Sequence, residues 1–292
     1  MLHTIKNDVL TVIAAEQGAE LQSIMGADGT EYLWQGDSVY WSDRALNIFP
    51  YVARLTEGSY RMDGKLYHMD IHGIAPYSRF SPVEHNSKRL ALELVANEKT
   101  LVSYPREFVF RIIYELAGST LHITYEVENR DIRTMYFGLG GHPGFNVPLA
   151  EGLRFEDYRL RFNQLCSPLQ IGFTEDCFLN GDDIPFPLDS GQIISLRHSL
   201  FNADAIVLKG MDRQITLETP SDTHSITITF PQMPYLGIWH SPKSDAPYVC
   251  IEPWCSLPAK QGQITVFEEQ ADLLKLPPGD TYRNCWSIAV NC

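Results

Sequence analysis

Apolar and polar residues alternate along much of this chain. In LHITYEVEN, Leu121, Ile123, Tyr125 and Val127 fall on one side, and His122, Thr124, Glu126 and Glu128 on the other. HSITITF repeats the period, with Ile226, Ile228 and Phe230 set against Ser225, Thr227 and Thr229. LALELVA, FVFRIIYEL and RQITLET read the same way, each bounded by turn residues. A period of two puts successive side chains on opposite faces of a pleated strand. The β-branched and aromatic residues in these runs suit a half-buried sheet surface.

Helical periodicity is scarce: residues 43–47 could form one turn, and little else reaches three turns. The 18 prolines and 20 glycines are spread along the chain, with no composition break or short repeat to mark a boundary. Many short strands separated by frequent turns predict an all-β fold, a large antiparallel β-sandwich with few short helices. One domain over residues 1–292 is the expectation. The inner faces of such a body are filled by side chains, so a binding site forms most easily on an open sheet face, where strands meet loops.

Composition narrows the partners. A net charge of −13 repels nucleic-acid backbones and anionic membranes, which leaves a neutral or weakly charged small molecule. The first twenty residues carry Asp8 and Glu16 and alternate too early for a signal peptide. No apolar run reaches the ~18 residues of a membrane span. The six cysteines (Cys166, Cys177, Cys250, Cys255, Cys285 and Cys292) show no C-x-x-C spacing and read as reduced thiols of a cytoplasmic protein.

Four segments break the alternation with polar residues in apolar company. In NIFPYVARL, Arg54 is either a snorkelling or ion-paired arginine, or a fork of donors aimed at ligand hydroxyls. In MDIHGIAPYSRF, His72 precedes Gly73, which permits a turn or close ligand approach, although a lone histidine in this setting is more often structural. GLGGHPGFNVPL follows an apolar run and reads as a loop that exposes His142, as a turn residue or as a presented ring. In YVCIEPWCSLP, Glu252 ends an apolar strand that Pro253 should terminate. A carboxylate so placed is costly unless paired or used, and desolvation would raise its pKa into the range of a general base. In YLGIWHSP, Trp239 offers a flat apolar face suited to core packing or to a sugar ring, and His240 reads as surface.

Other chemistries are missing their motifs. There is no G-x-G-x-x-G, P-loop, H-E-x-x-H or G-x-S-x-G. No spacing adds metal ligands to His72 and His142, so neither a metal nor a cofactor is expected. An acid, a base and a donor remain, without an evident nucleophile.

In this order, Arg54 in FPYVARL, His72 in HGIA, His142 in GGHPGF and Glu252 in CIEPW resemble the aldose 1-epimerase (galactose mutarotase-like) family. KLYHMDIHG, YPREFVFRIIYEL and YLGIWHSP look like its LacX-like branch, and the resemblance spans nearly the whole chain. It implies a β-supersandwich that interconverts the α and β anomers of an aldose without a cofactor. By the same resemblance Glu252 is the general base, His142 the general acid, and Arg54 and His72 orient the sugar. Asp204, in LFNADAIVL, is the best match to an aspartate that binds substrate hydroxyls, and Trp239 joins it as a sugar-facing residue. The chain departs from the family at Ala53, Ile74, Pro76, Cys255 and Ser256.

Mutarotation needs one proton removed from the C1 hydroxyl and one delivered to the ring oxygen, so an acid and a base suffice. Two alternatives stand beside it. A hexose-6-phosphate mutarotase would need a basic cluster, for which Arg44, Arg61, Lys65 and Arg79 are the candidates. A non-catalytic carbohydrate-binding protein on the same fold would bind sugar without anomerising it. On each reading the expected assembly is a monomer or homodimer.

Overall fold

In the computed structural model, which describes residues 1–291, the LHITYEVEN run lies in the strand Thr120–Asn129 and is buried at every second position. The strands Phe108–Ala117 and Thr281–Asn291 flank it in antiparallel register. These three are the centre of a nine-stranded sheet. Its order is Ile193–Ser195, Arg159–Phe162, Gln214–Glu218, Ser225–Thr229, Thr281–Asn291, Thr120–Asn129, Phe108–Ala117, Arg89–Val95, Ser81–His85. The polar half of the alternation makes a charged outer face, where Glu126 accepts from Arg111 at 2.7 Å and Arg283 at 2.8 Å.

The opposing sheet has seven strands, in the order Ile184–Pro185, Leu169–Gln170, Ile206–Lys209, Tyr235–Trp239, Tyr248–Trp254, Gly140–Asn146, Ala45–Ile48. Tyr125 of the large sheet crosses the core and donates to Asn47 Oδ1 of the smaller one at 2.9 Å. Gly141 faces the same interior, where a Cβ would lie 2.6 Å from the Trp286 ring. The fold is therefore the predicted all-β antiparallel sandwich. Among the described residues one pairing between strands runs parallel, Thr265–Val266 on Ser59–Met62, beside isolated parallel bridges at Phe49/Gly73 and Leu179/Lys260. The α-helix Glu98–Ser103, capped by the Asn97 side chain, is six residues long. No helix among the described residues is long and apolar enough to cross a membrane. Cys166, Cys177, Cys250, Cys255 and Cys285 are free thiols, and Cys292 lies outside the described residues.

Three local expectations fail. Residues 43–47 are not a turn of helix: Ala45–Ile48 is an edge strand, with Asn47 turned inward to bond Gly18 O and Ala19 O. GLGGHPGFNVPL is not an exposed loop either, because Gly140–Asn146 is a buried strand between two neighbours. The strand Tyr248–Trp254 continues through Pro253. Its ladder to the histidine strand pairs Gly140 with Trp254 and next Gly144 with Cys250. Pro143 and Pro253 both fall in the skipped interval, so their two missing N–H groups coincide with the gap in this ladder.

Candidate active site

Continuing the register from Gly140↔Trp254 and Gly144↔Cys250 puts His142 directly opposite Glu252. Side chains directly opposite on antiparallel strands share a face. Gly141 points into the sandwich, so His142 and Glu252 must point out of it, on the free face of the seven-stranded sheet. His142 Nε2 lies 3.2 Å from Glu252 Oε2, too far off line for a hydrogen bond: Oε2, and the other ring nitrogen Nδ1, have no hydrogen-bond partner among the described residues. Both side chains are buried, His142 at 7% and Glu252 at 2% exposure. Buried polar atoms are rarely left unpaired, so unpaired ones at a cleft floor mark a place where a polar ligand fits.

Missing side chains make the room. Gly237 pairs with Glu252 across the next ladder, and a Cβ there would sit 3.3 Å from the Glu252 Cβ and 3.0 Å from the Trp254 ring. A Cβ on Gly140 would lie 2.6 Å from Trp254. Around the pair is a cleft of about 270 Å³, small beside the roughly 300–1,000 Å³ that take drug-sized ligands. Its walls include Trp41, Arg54, His72, Tyr77, Cys177, Asp204, Trp239 and Trp254.

Burial sets the protonation of this floor. It pushes the Glu252 carboxyl well above its ordinary 4.5, helped by the nearby Asp204 charge and opposed by the Trp254 indole. It also pushes His142 well below 6.5, with His72 adding to the effect. His72 itself is held at about 4 by burial and by the Arg54 charge, so it is neutral at pH 7. Its Nδ1 accepts from the Ala53 amide at 3.3 Å, which leaves the proton on Nε2 as a donor. The His142 ring is boxed by Trp41 at 4.8 Å, Trp239 at 5.8 Å and His72 at 5.2 Å between centroids.

The walls come from loops. The segments carrying Arg54 and His72 are tied together by His72 N to Ala53 O at 3.0 Å and Phe49 N to His72 O at 3.3 Å. His72 takes a φ of +64° there and Ala53 one of +53°. Arg54 is exposed at the mouth, and its guanidinium makes no ion pair or hydrogen bond among the described residues. Across from it, Asp204 has φ +77°; its Oδ1 accepts from Ala205 N at 2.8 Å and its Oδ2 from the Cys177 thiol at 3.2 Å.

All six residues singled out from the sequence, Arg54, His72, His142, Asp204, Trp239 and Glu252, thus line one cleft. Trp41, Asp43, Tyr77, Cys177 and Trp254 line it too and were missed. Trp254 had a signal, since it shares a strand face with Glu252 at a spacing of two. The others sit in loops, where no periodicity points to them. His240 is not surface but fully buried: Nδ1 donates to Ser241 O at 2.7 Å, and Phe201 packs on its ring at 4.2 Å. The basic candidates for a phosphate lie elsewhere. Arg44 bonds Gln22, Arg79 pairs with Glu16 at 2.6 Å, and Arg61 and Lys65 belong to the hairpin Ser59–Met62/Lys65–His68. Arg54 is the one Lys or Arg in the lining. Of the departures from the family pattern, Ala53 lines the cleft, whereas Ile74, Pro76, Cys255 and Ser256 do not.

A two-sheet β-sandwich with a histidine and a glutamate paired across one ladder, beneath a small open cleft, defines a class. A sequence profile described as Aldose 1-epimerase matches residues 1–284, and the chain belongs to that family. Within it, the chain is 31% identical to the chromosomal Protein LacX of Lactococcus lactis over 296 residues, covering 98% of both. Among solved structures it is similar to a galactose mutarotase related enzyme from Lactobacillus acidophilus, with TM-score 0.95 and 30% identity over 100% of this chain and 98% of that one. A galactose mutarotase-like protein from Lactobacillus casei gives TM-score 0.94 and 32% identity over 99% of this chain and 100% of that one.

Proposed function

We propose that the protein is an aldose 1-epimerase that interconverts the α and β anomers of an uncharged aldose, with Glu252 as general base and His142 as general acid. The observation that carries this reading is the buried His142–Glu252 pair, with unsatisfied atoms at the floor of a sugar-sized cleft. Ring opening breaks C1–O5: the O1 proton passes to Glu252 while His142 protonates O5. Rotation about C1–C2 and reclosure along the same route give the other anomer. O1 and O5 are bonded to one carbon, so acid and base must be near neighbours, as they are. His72 Nε2–H and Arg54 supply donors for sugar hydroxyls, Asp204 an acceptor, and Trp239 an apolar face.

Burial also serves the proton transfer. Ring opening converts an imidazolium–carboxylate pair into a neutral pair, and a low-dielectric floor penalises the charged form. Raising Glu252 and lowering His142 brings the two forms closer in energy, which suits a reaction that must run equally well both ways.

The direct test is exchange of freshly dissolved α-glucose or α-galactose, followed by polarimetry or NMR. The protein should accelerate it and His142→Asn should remove the gain; no acceleration with any common aldose sinks the reading. Sugar binding without exchange would instead favour a carbohydrate-binding protein. Glucose 6-phosphate is expected to be the poorer substrate, since Arg54 is the one cationic Lys or Arg side chain in the lining.

The pH profile follows from the pair as a unit. It works while it holds one proton, between the loss of the first and the loss of the second. Burial disfavours both the doubly protonated and the doubly deprotonated pair, since each carries net charge. The expected kcat/KM profile is therefore a plateau with an acid limb and an alkaline limb. Its acid limb lies below the ordinary imidazole value of 6.5, and its alkaline limb above the ordinary carboxylate value of 4.5. A rate that already falls as pH drops through 6.5 would contradict this.

A further inference from the structure

Acid–base chemistry uses two side chains of this floor and leaves unexplained a third group buried behind it, outside the cleft lining. Cys250 stands two residues before Glu252 on the same face of the same strand, opposite Gly144. Its thiol is fully buried and makes no hydrogen bond among the described residues. One potential ligand atom each from His142, Cys250 and Glu252 lies within 4.8 Å of the other two. The three groups are an imidazole, a thiol and a carboxyl, each more than nine-tenths buried. His142 Nδ1 and Glu252 Oε2 are also without hydrogen-bond partners.

We propose that His142, Cys250 and Glu252 form a three-ligand site for a thiophilic divalent cation of the zinc type, and that its occupancy blocks mutarotation. One nitrogen, one sulfur and one oxygen, with a fourth position facing the cleft, match the donor set of an open tetrahedral zinc site. Ligand distances of roughly 2.0–2.3 Å require the side chains to close in from their present spread, a movement of rotamer size on a fixed ladder. Binding forms the metal–sulfur bond as the thiol releases its proton to solvent, so no oxidant or reductant takes part. The bound ion engages both the Glu252 carboxylate and the His142 imidazole, which leaves neither free to exchange protons with a sugar. The blocking effect rests on the mutarotase reading; the site itself does not.

The test is a titration of the reduced, metal-free full chain with Cd²⁺, read by the cadmium–thiolate charge-transfer absorption. A band saturating at one equivalent is expected in the wild type and in Cys177→Ser, and its loss in Cys250→Ser. Anomer exchange should fall as the band grows and return on chelation. Inhibition of Cys250→Ser should need at least ~10–100-fold more metal, since even losing an outer-sphere partner costs that much. Where the Ser variant does not fold, X-ray absorption on the cadmium-loaded wild type reads the ligand set directly, with one sulfur among nitrogen and oxygen neighbours expected. No band in the wild type, an unchanged band in Cys250→Ser, or two or more sulfurs would overturn the site. A band without any exchange activity to inhibit would keep the site and remove the mutarotase reading, and activity without a band would do the reverse.

Discussion

Glu252→Gln lowers the anomer-exchange rate by at least ~10²–10⁴-fold, the usual loss for a positioned general base, while raising the melting temperature at neutral pH. The two effects share one cause. Glutamine keeps the shape of the side chain on a floor only 2% exposed, yet can neither take a proton nor become charged. Glu252 has a folded-state pKa raised well above 4.5, chiefly by burial. Below that ordinary value the carboxyl is protonated in both folded and unfolded chains, and it costs nothing by ionisation. As pH rises past it, the unfolded chain ionises freely while the buried group resists, so stability drains away up to the folded-state pKa. The glutamine variant escapes this drain. Its advantage in Tm should be largest at neutral pH and disappear below pH 4.5. Thermal melts at the two pH values, beside polarimetry, check both halves. A variant that keeps a tenth of the wild-type rate, or melts lower at neutral pH, would remove Glu252 from the role of buried base.

Gly73→Ala is expected to destabilise the fold by about 2–5 kcal/mol, as left-handed backbone strain adds to overpacking. Gly73 has φ +86°, and an added Cβ would lie 2.2 Å from Phe49 O and 2.7 Å from Pro50 N. Those atoms are backbone and cannot swing aside. They also belong to the segment that holds Ala53 and Arg54, so any relief moves His72 and Arg54 apart. Activity should fall with stability, through a raised KM before a lowered kcat, because the walls shift while the floor stays. Gly29 is the control: its φ is +93°, but nothing lies within 4 Å of an added Cβ. Gly29→Ala should therefore cost only the strain of about 1–2 kcal/mol, with no change in KM. Urea denaturation of the two variants measures the difference, and equal losses would show that the contact with Phe49 is not what matters.

The fold was legible where one face of a strand meets the core and the other meets water. Thr120–Asn129 and Ser225–Thr229 alternate in burial as they do in sequence. Legibility fails where both faces are covered. Gly140–Asn146 is buried along almost its whole length, and its glycines stand where Trp254, Trp286, Trp34 and Trp41 press in. Small residues demanded by neighbouring tryptophans look in sequence like a loop. Pro253 misleads for a related reason: the strand is held on its other edge by an unbroken ladder to Tyr235–Trp239, so the missing N–H interrupts one ladder without ending the strand. His240 reads as surface because nothing local announces Phe201, which covers it from 39 positions away. The floor of the site was accessible through Glu252, a lone carboxyl in an apolar run. The walls from Trp41, Tyr77 and Cys177 were not, because tertiary folding alone brings those loops together.

The spacing of His142 and Glu252 is a property of strand register, whereas Arg54, His72, Asp204 and Cys177 stand on segments that no ladder holds. On the proposed mutarotase reading, chemistry and selectivity are therefore separable parts. Loops can be exchanged, lengthened or recoloured with new side chains without altering the distance over which the proton travels. A scaffold of this kind can change its preferred sugar by small steps, because each step leaves the reaction itself intact.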